Sequence, residues 1–215
     1  MAALAFSDYR RLVVKVGSSL LVNESGRFNR RWLESLADDL ADLHADNREV
    51  VIVSSGAIAL GSSVLGINKK RARLPDLQAA AAAGQVQLVH AYQEALGKHR
   101  IHAAQILLTP EDTENRRRFL NARGTFNRLL DLRVIPIVNE NDTVATEEIR
   151  YGDNDRLAAR VAQLVMADAL ILLSDVDGLY SADPGTDAGA RHIPEVRAIG
   201  SEILAMAGET RSDIG

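Results

Sequence analysis

The sequence predicts an α/β fold, a three-layer sandwich in which a mainly parallel sheet carries helices on both faces. Three observations predict it. Short aliphatic runs of strand length alternate along the chain with longer segments of helical period. The runs are apolar throughout, as strands buried on both faces require. Aromatic residues make up only 4% of the 215 residues, so Ala, Val, Leu and Ile must fill the interior.

The elements follow in order. Leu12-Val13-Val14-Lys15-Val16 reads as the first strand. Residues 30–46 place Trp32, Leu33, Leu36, Ala37, Leu40 and Leu43 on one stripe, the spacing of an amphipathic helix. Val50-Val51-Ile52-Val53 is the second strand, ending at Ser54-Ser55-Gly56 where a further helix starts. Residues 77–98, with alanines from 79 to 83, form a strong helix whose small side chains permit close packing. Strands at Ala104-Gln105-Ile106-Leu107-Leu108, Val134-Ile135-Pro136-Ile137-Val138 and Ala169-Leu170-Ile171-Leu172-Leu173 are separated by helices over residues 116–130 and 156–166. Asp177-Gly178 and Asp183-Pro184 signal turns, so a hairpin or loop excursion follows the last strand. A chain of this length suits one domain, and no repeat or linker divides it.

Composition excludes several functions. Lys and Arg number 25 against 29 Asp and Glu, a net charge of −4 without the basic excess that nucleic acid needs. There is no cysteine, hence no disulfide, thiolate metal site or cysteine nucleophile. The five histidines show no metal-ligand spacing, so no metal site built by the protein alone is expected. No apolar stretch approaches the ~20 residues that cross a bilayer. Residues 1–8 lack the basic-then-apolar pattern of a signal peptide, so the cytoplasm is the expected compartment. The basic residues 69–73 are expected in a solvated loop. Arg116-Arg117-Arg118 opens a helix against its dipole and suggests a nearby carboxylate, although a surface face would serve.

Open parallel sheets bind ligands outside the carboxyl ends of their strands. After the first strand stands Lys15-Val16-Gly17-Ser18-Ser19: a glycine that admits close approach, two hydroxyls, and a lysine able to meet phosphate. Neither a dinucleotide nor a P-loop motif is present, and a plain Gly-Ser turn also explains this segment. After the second strand, Ser55 could donate to a carboxylate or simply cap the next helix. The most informative stretch is Asn139-Glu140-Asn141-Asp142-Thr143 followed by Tyr151-Gly152-Asp153-Asn154-Asp155. Capping and turn chemistry account for one or two such residues but not for two clusters in a row, which favours substrate binding.

Taken together, Lys15-Val16-Gly17-Ser18-Ser19, Val53-Ser54-Ser55-Gly56-Ala57-Ile58, Phe119-Leu120-Asn121-Ala122-Arg123, Val138-Asn139-Glu140-Asn141-Asp142, Gly152-Asp153-Asn154-Asp155 and Asp175-Val176-Asp177-Gly178-Leu179-Tyr180 resemble the glutamate 5-kinases of the amino-acid kinase family, in that order and over nearly the whole chain. The resemblance implies ATP-dependent phosphorylation of the γ-carboxylate of L-glutamate, the first step of proline biosynthesis, with Mg²⁺. It implies that Lys15 contacts the transferring phosphate under a loop of Gly17, Ser18 and Ser19. Ser55, Asp142 and Asn154 would hold glutamate, Asp142 by its α-ammonium. Asp155 would orient lysines or help organise Mg²⁺, and Ser174 and Asp175 would lie toward the nucleotide. Residues 119–123 would lie near glutamate, where proline acts as feedback inhibitor. A homo-oligomer, dimer or tetramer, is implied as well.

The family pattern continues beyond Gly215 with a Gly-Thr-Gly-Gly-Met segment bearing a second phosphate-binding lysine, and often with a PUA-type domain. On this resemblance residues 1–215 correspond to the kinase domain up to that nucleotide-binding segment, and activity of the chain alone is not expected to be full. Two other readings stay open: an enzyme of the same fold acting on acetylglutamate, aspartate or a uridine nucleotide, and a non-catalytic sensor of glutamate or proline.

Overall fold

A computed structural model of the chain describes residues 8–23, 26–144 and 154–206. Five strands form one sheet: β1 (Arg11–Val16), β2 (Glu49–Ser54), β3 (Ala103–Leu108), β4 (Ile135–Glu140) and β5 (Ala169–Leu173). Their spatial order is β3-β4-β2-β1-β5 and every pairing is parallel. Val16 stands opposite both Ser54 and Leu173, so the carboxyl ends of β2, β1 and β5 finish level. The helices are α1 (Ser18–Leu21), α2 (Arg30–Ala45), α3 (Ala57–Leu65), α4 (Leu74–Gly97), α5 (Pro110–Glu114), α6 (Arg116–Asp131), α7 (Asn154–Val165) and α8 (Ser201–Met206). Strands β6 (Leu179–Tyr180) and β7 (His192–Ile193) make the antiparallel hairpin that the turn signals implied.

Successive side chains of a strand point to opposite faces, and this sorts the core into two layers. Val14, Val16, Val50, Ile52, Ile135 and Ile137 pack with Leu33, Leu36 and Leu40 of α2 and Leu88, Tyr92 and Leu96 of α4. Val13, Val51, Val53 and Val138 pack on the other side with Phe126 and Leu130 of α6 and Leu157, Val161 and Leu164 of α7. The three-layer sandwich expected from the apolar runs is the architecture found. Among the described residues, no helix is long and apolar enough to cross a membrane.

Several boundaries move where backbone chemistry outweighs side-chain pattern. α4 begins at Leu74 because proline suits a first helical turn and the Asp76 carboxylate accepts the Arg73 N–H at 2.9 Å. β4 runs on into polar sequence because β3 pairs with it to the end, Leu107 opposite Asn139 and Leu108 opposite Glu140. At the start of α6, Arg118 meets Asp112 at 3.0 Å and Glu111 at 3.6 Å, so the carboxylate partner comes from α5.

One contact governs the layer that holds α3 and α4. A Cβ on Gly61 would stand 1.7 Å from the Ala80 carbonyl oxygen, and one on Gly84 would stand 1.8 Å from that of Ala57. The two helices therefore touch backbone to backbone, with Ala80 and Ala81 of the alanine run buried against Ile58. Gly61→Ala or Gly84→Ala must push them apart. Overpacking of this kind costs roughly 1–3 kcal/mol, and each kcal/mol lowers Tm by ~2–4 °C in a domain of this size. Thermal unfolding is expected to show that loss in both variants; an unchanged midpoint would argue against the contact.

Candidate active site

Lys15 is in step with Val13, on the face of β1 that looks toward α7. Its ammonium meets Asp155 Oδ1 at 2.8 Å; the lysine side chain is 13% exposed and that of the aspartate 56%. Asp155 is in the first turn of α7. The far end of that helix is fastened by Arg11, whose Nη1 donates to the Val165 carbonyl while its Nε pairs with Glu49 at 2.6 Å. Below the ammonium, the Gly17 N–H donates to the Leu173 carbonyl at 3.1 Å. A Cβ on Gly17 would lie 3.3 Å from the Leu173 carbonyl oxygen, with Lys15 Nζ and Ser19 Oγ in ordinary contact at 3.7 and 3.8 Å, so it is the close approach to β5 that suits glycine. Of the two hydroxyl residues that open α1, Ser18 is buried and Ser19 faces solvent.

Asn154 precedes Asp155 and turns across the sheet end instead of toward β1. Its Nδ2 donates to Ser55 Oγ at 2.5 Å and lies 3.3 Å from Asn139 Oδ1. Asn139 Nδ2 in turn donates to Gln85 Oε1 of α4 at 2.8 Å. The alternation of β4 explains this reach: Asn139 is in step with Ile135 and Ile137, which face α4. The Ser55 N–H itself donates to the Val16 carbonyl at 3.1 Å, which ties the hydroxyl-bearing turn to β1.

Asp142 begins a 3-10 turn (Asp142–Val144) that packs on α4. It is buried, and desolvation first and the charge of Glu140 second push its carboxyl up to about 7. Among the described residues no hydrogen bond joins it to Ser55 or Asn154. Ser174 and Asp175 follow β5, exposed, with Ser174 Oγ donating to Asp175 Oδ1 at 3.0 Å. Tyr151, Gly152 and Asp153 of the second polar cluster lie outside the described residues. Phe119 and Ala122 pack against the α6–α7 core, and Arg123 donates to Met166 Sδ just past the C-terminal end of α7, away from Asn154.

The expected residues thus sit along one edge in the order of the strands. Hydroxyl and amide groups cluster at β4 and β2, the lysine stands at β1, and Ser174 with Asp175 stands at β5. Strands are spaced ~4.8 Å apart, and β1 lies between β2 and β5, so the ends of those two strands leave a span on the scale of an amino-acid side chain followed by a phosphate. The amide end offers neutral hydrogen-bonding groups, while the lysine end offers a cation. Among the described residues no group of three or more carboxylates and imidazoles could hold a metal ion alone. That donor set fits a Mg²⁺ carried by nucleotide phosphates, which needs few protein ligands; the exposed Asp155 carboxylate is the one beside Lys15. Gln85 escaped sequence reasoning, because a glutamine in an alanine-rich helix reads as solvent-facing.

Burial of Asp142 has a measurable consequence. Its folded value lies above the ordinary 3.8 of an aspartate, so the protonated form is the one the fold tolerates. Stability from this group is complete below about pH 4 and is lost as pH rises through about 7. Denaturant titrations of the chain and of Asp142→Asn are expected to diverge across that window, the variant becoming the more stable at pH 8. Parallel curves would place the carboxyl in water.

Comparison with known proteins adds the family. The model described as "Amino acid kinase family" matches residues 10–208. The chain is 57% identical over 207 residues to the glutamate 5-kinase of Brucella anthropi, covering 96% of this chain and 55% of that protein. It is 56% identical over 215 residues to the glutamate 5-kinase of Rhodopseudomonas palustris (strain BisB5), covering 100% of this chain and 57% of that one. It therefore spans about half the length of the curated relatives it matches. The parallel sheet, the strand-end site and the family match over almost all described residues agree: this chain belongs to the amino acid kinase family.

Proposed function

We propose that the chain forms the acceptor side of a glutamate 5-kinase, in which ATP phosphorylates the γ-carboxylate of L-glutamate to give glutamyl 5-phosphate for proline biosynthesis. The observation that carries this reading is the placing of the Ser55–Asn154 pair beside the Lys15–Asp155 pair, two consecutive residues of α7 serving the two halves of one reaction. The likeness to proteins named glutamate 5-kinase supports the choice of acid.

The reaction needs little covalent help. The γ-carboxylate is ionised at neutral pH, so one of its oxygens attacks the terminal phosphorus of ATP directly. The bond from that phosphorus to the bridging oxygen breaks, ADP leaves with the electron pair, and no proton is transferred. Catalysis then rests on alignment and on offsetting negative charge. Ser55, with the Asn154 amide against its hydroxyl, holds a carboxylate, and Asp142 accepts from the α-ammonium. Lys15, aimed by Asp155, meets the transferring phosphoryl group over Gly17, with Ser18 and Ser19 in the phosphate loop. Ser174 and Asp175 lie on the nucleotide side. Mg²⁺, held by the phosphates with Asp155 at hand, supplies further charge neutralisation when bound.

The same reading makes residues 1–215 the kinase domain up to a C-terminal nucleotide-binding segment, in a cytoplasmic homo-oligomer inhibited by proline.

The test is calorimetric titration of the chain with L-glutamate, N-acetylglutamate, L-aspartate and UMP. Glutamate is expected to bind selectively, and Asp142→Ala is expected to abolish it. Because an ammonium pairs only with ionised Asp142, affinity should fall about tenfold per pH unit below about 7. Preference for N-acetylglutamate or UMP, or silence from glutamate in a folded sample, would sink the assignment. Binding without phosphoryl transfer in the intact enzyme would mark a sensor instead.

A further inference from the structure

A chain of amides can run in either of two senses, and the sense decides what Ser55 does. As found, Asn154 Nδ2 donates to Ser55 Oγ and to Asn139 Oδ1, and Asn139 Nδ2 donates to Gln85 Oε1. Ser55 then accepts from the protein, and its single proton is left to donate into the site. With every amide turned over, Ser55 would have to donate to Asn154, and no proton would remain for a carboxylate.

The relay ends at Gln85, whose Oε1 receives the Asn139 donor in the sense found. Its residue is 7% exposed, and its Nε2 has no hydrogen-bond partner among the described residues. A buried donor without a partner is unfavourable and calls for a reason. Turning the relay over would satisfy Nε2 but leave Ser55 no proton for a ligand; in the sense found Oε1 takes the Asn139 donor and that proton stays free. We propose that Gln85 is a positioning residue for the acidic substrate: it holds Asn139, and through it Asn154, in the sense that leaves the Ser55 hydroxyl free to donate. This rests on the reading of Ser55 as a carboxylate donor, with Asn154, whose two Nδ2 protons go to Ser55 and Asn139, holding it in place.

Tyr92 provides an internal comparison. It lies two turns further along the same face of α4, and its hydroxyl pairs with Ser54 Oγ at 3.1 Å in a fully buried contact outside the relay. Loss of that bond weakens the docking of α4 on β2 without touching the amides.

Glutamate affinity is to be measured by calorimetry, and unfolding by heat, in the chain and in Gln85→Met, Gln85→Glu and Tyr92→Phe. Gln85→Met is expected to weaken glutamate about tenfold, the equivalent of ~1.4 kcal/mol. Gln85→Glu keeps the acceptor and is expected to stay within about threefold. Tyr92→Phe should lower the unfolding midpoint while changing affinity less than about threefold, since it leaves the amides in place. Unaltered glutamate affinity in a folded Gln85→Met, or equal losses in Gln85→Met and Tyr92→Phe, would overturn the proposal. If the unsubstituted chain does not bind glutamate, the substrate reading fails, and solvent exchange of the Asn154 side-chain amide, followed by NMR without ligand, still decides the relay. Faster exchange in Gln85→Met sustains Gln85 as the group that orders Asn154; the same rate removes it.

Discussion

Gly61 and Gly84 let α3 and α4 meet with nothing between their backbones, and the site depends on that closeness. α3 starts just after Ser55, and α4 carries Gln85 immediately after the contact glycine. Any side chain at either glycine would widen the gap between the turn that bears the hydroxyl and the helix that bears the amide. The same docking puts Tyr92 against Ser54 and Leu88 and Leu96 into the sheet face. A stability feature in the core is thereby also a geometric feature of the strand ends.

From there the hydrogen bonds run through all three layers. Gln85 belongs to the α4 layer, Asn139 to the sheet, and Asn154 to α7 on the far side. Opposite helical layers are thus joined over the end of the sheet by neutral amides. On the proposed function neutral donors have an advantage, since they would hold a carboxylate without competing for the counter-charge that the phosphates need. The Lys15 ammonium stands one strand over from Ser55.

The two charged features differ in energetic character. The Lys15–Asp155 pair has one half-exposed member, and exposed pairs contribute only about 0–1 kcal/mol to stability. Its value is directional: it aims the ammonium. Asp142 is the reverse, a carboxylate whose burial opposes its own ionisation. Such a group is costly in the empty fold, and on the proposed function a cationic ligand would relieve it, favouring an ammonium over the acetylated nitrogen of a related acid.

Much of this was legible in the sequence for a definite reason. Strand runs that are apolar on both faces allow only a covered parallel sheet, and the polar residues that interrupt the pattern at strand ends are the ones gathered at the site. Lys15, Ser55, Asn154 and Asp155 stood out because they break local expectations. What periodicity could not supply was which of them touch. The pairing of Asn154 with Ser55 spans 99 positions of chain, and that of Asn139 with Gln85 spans 54. β4 reached past its apolar run because β3 supplied hydrogen bonds there, and the arginines of α6 were answered from α5. The sequence by itself determined the layers and the chemistry available at their edge, since both follow from local pattern. The tertiary structure alone decided the amide relay, the role of Gln85 and the burial of Asp142, because those depend on how closely α3, α4 and α7 approach the sheet.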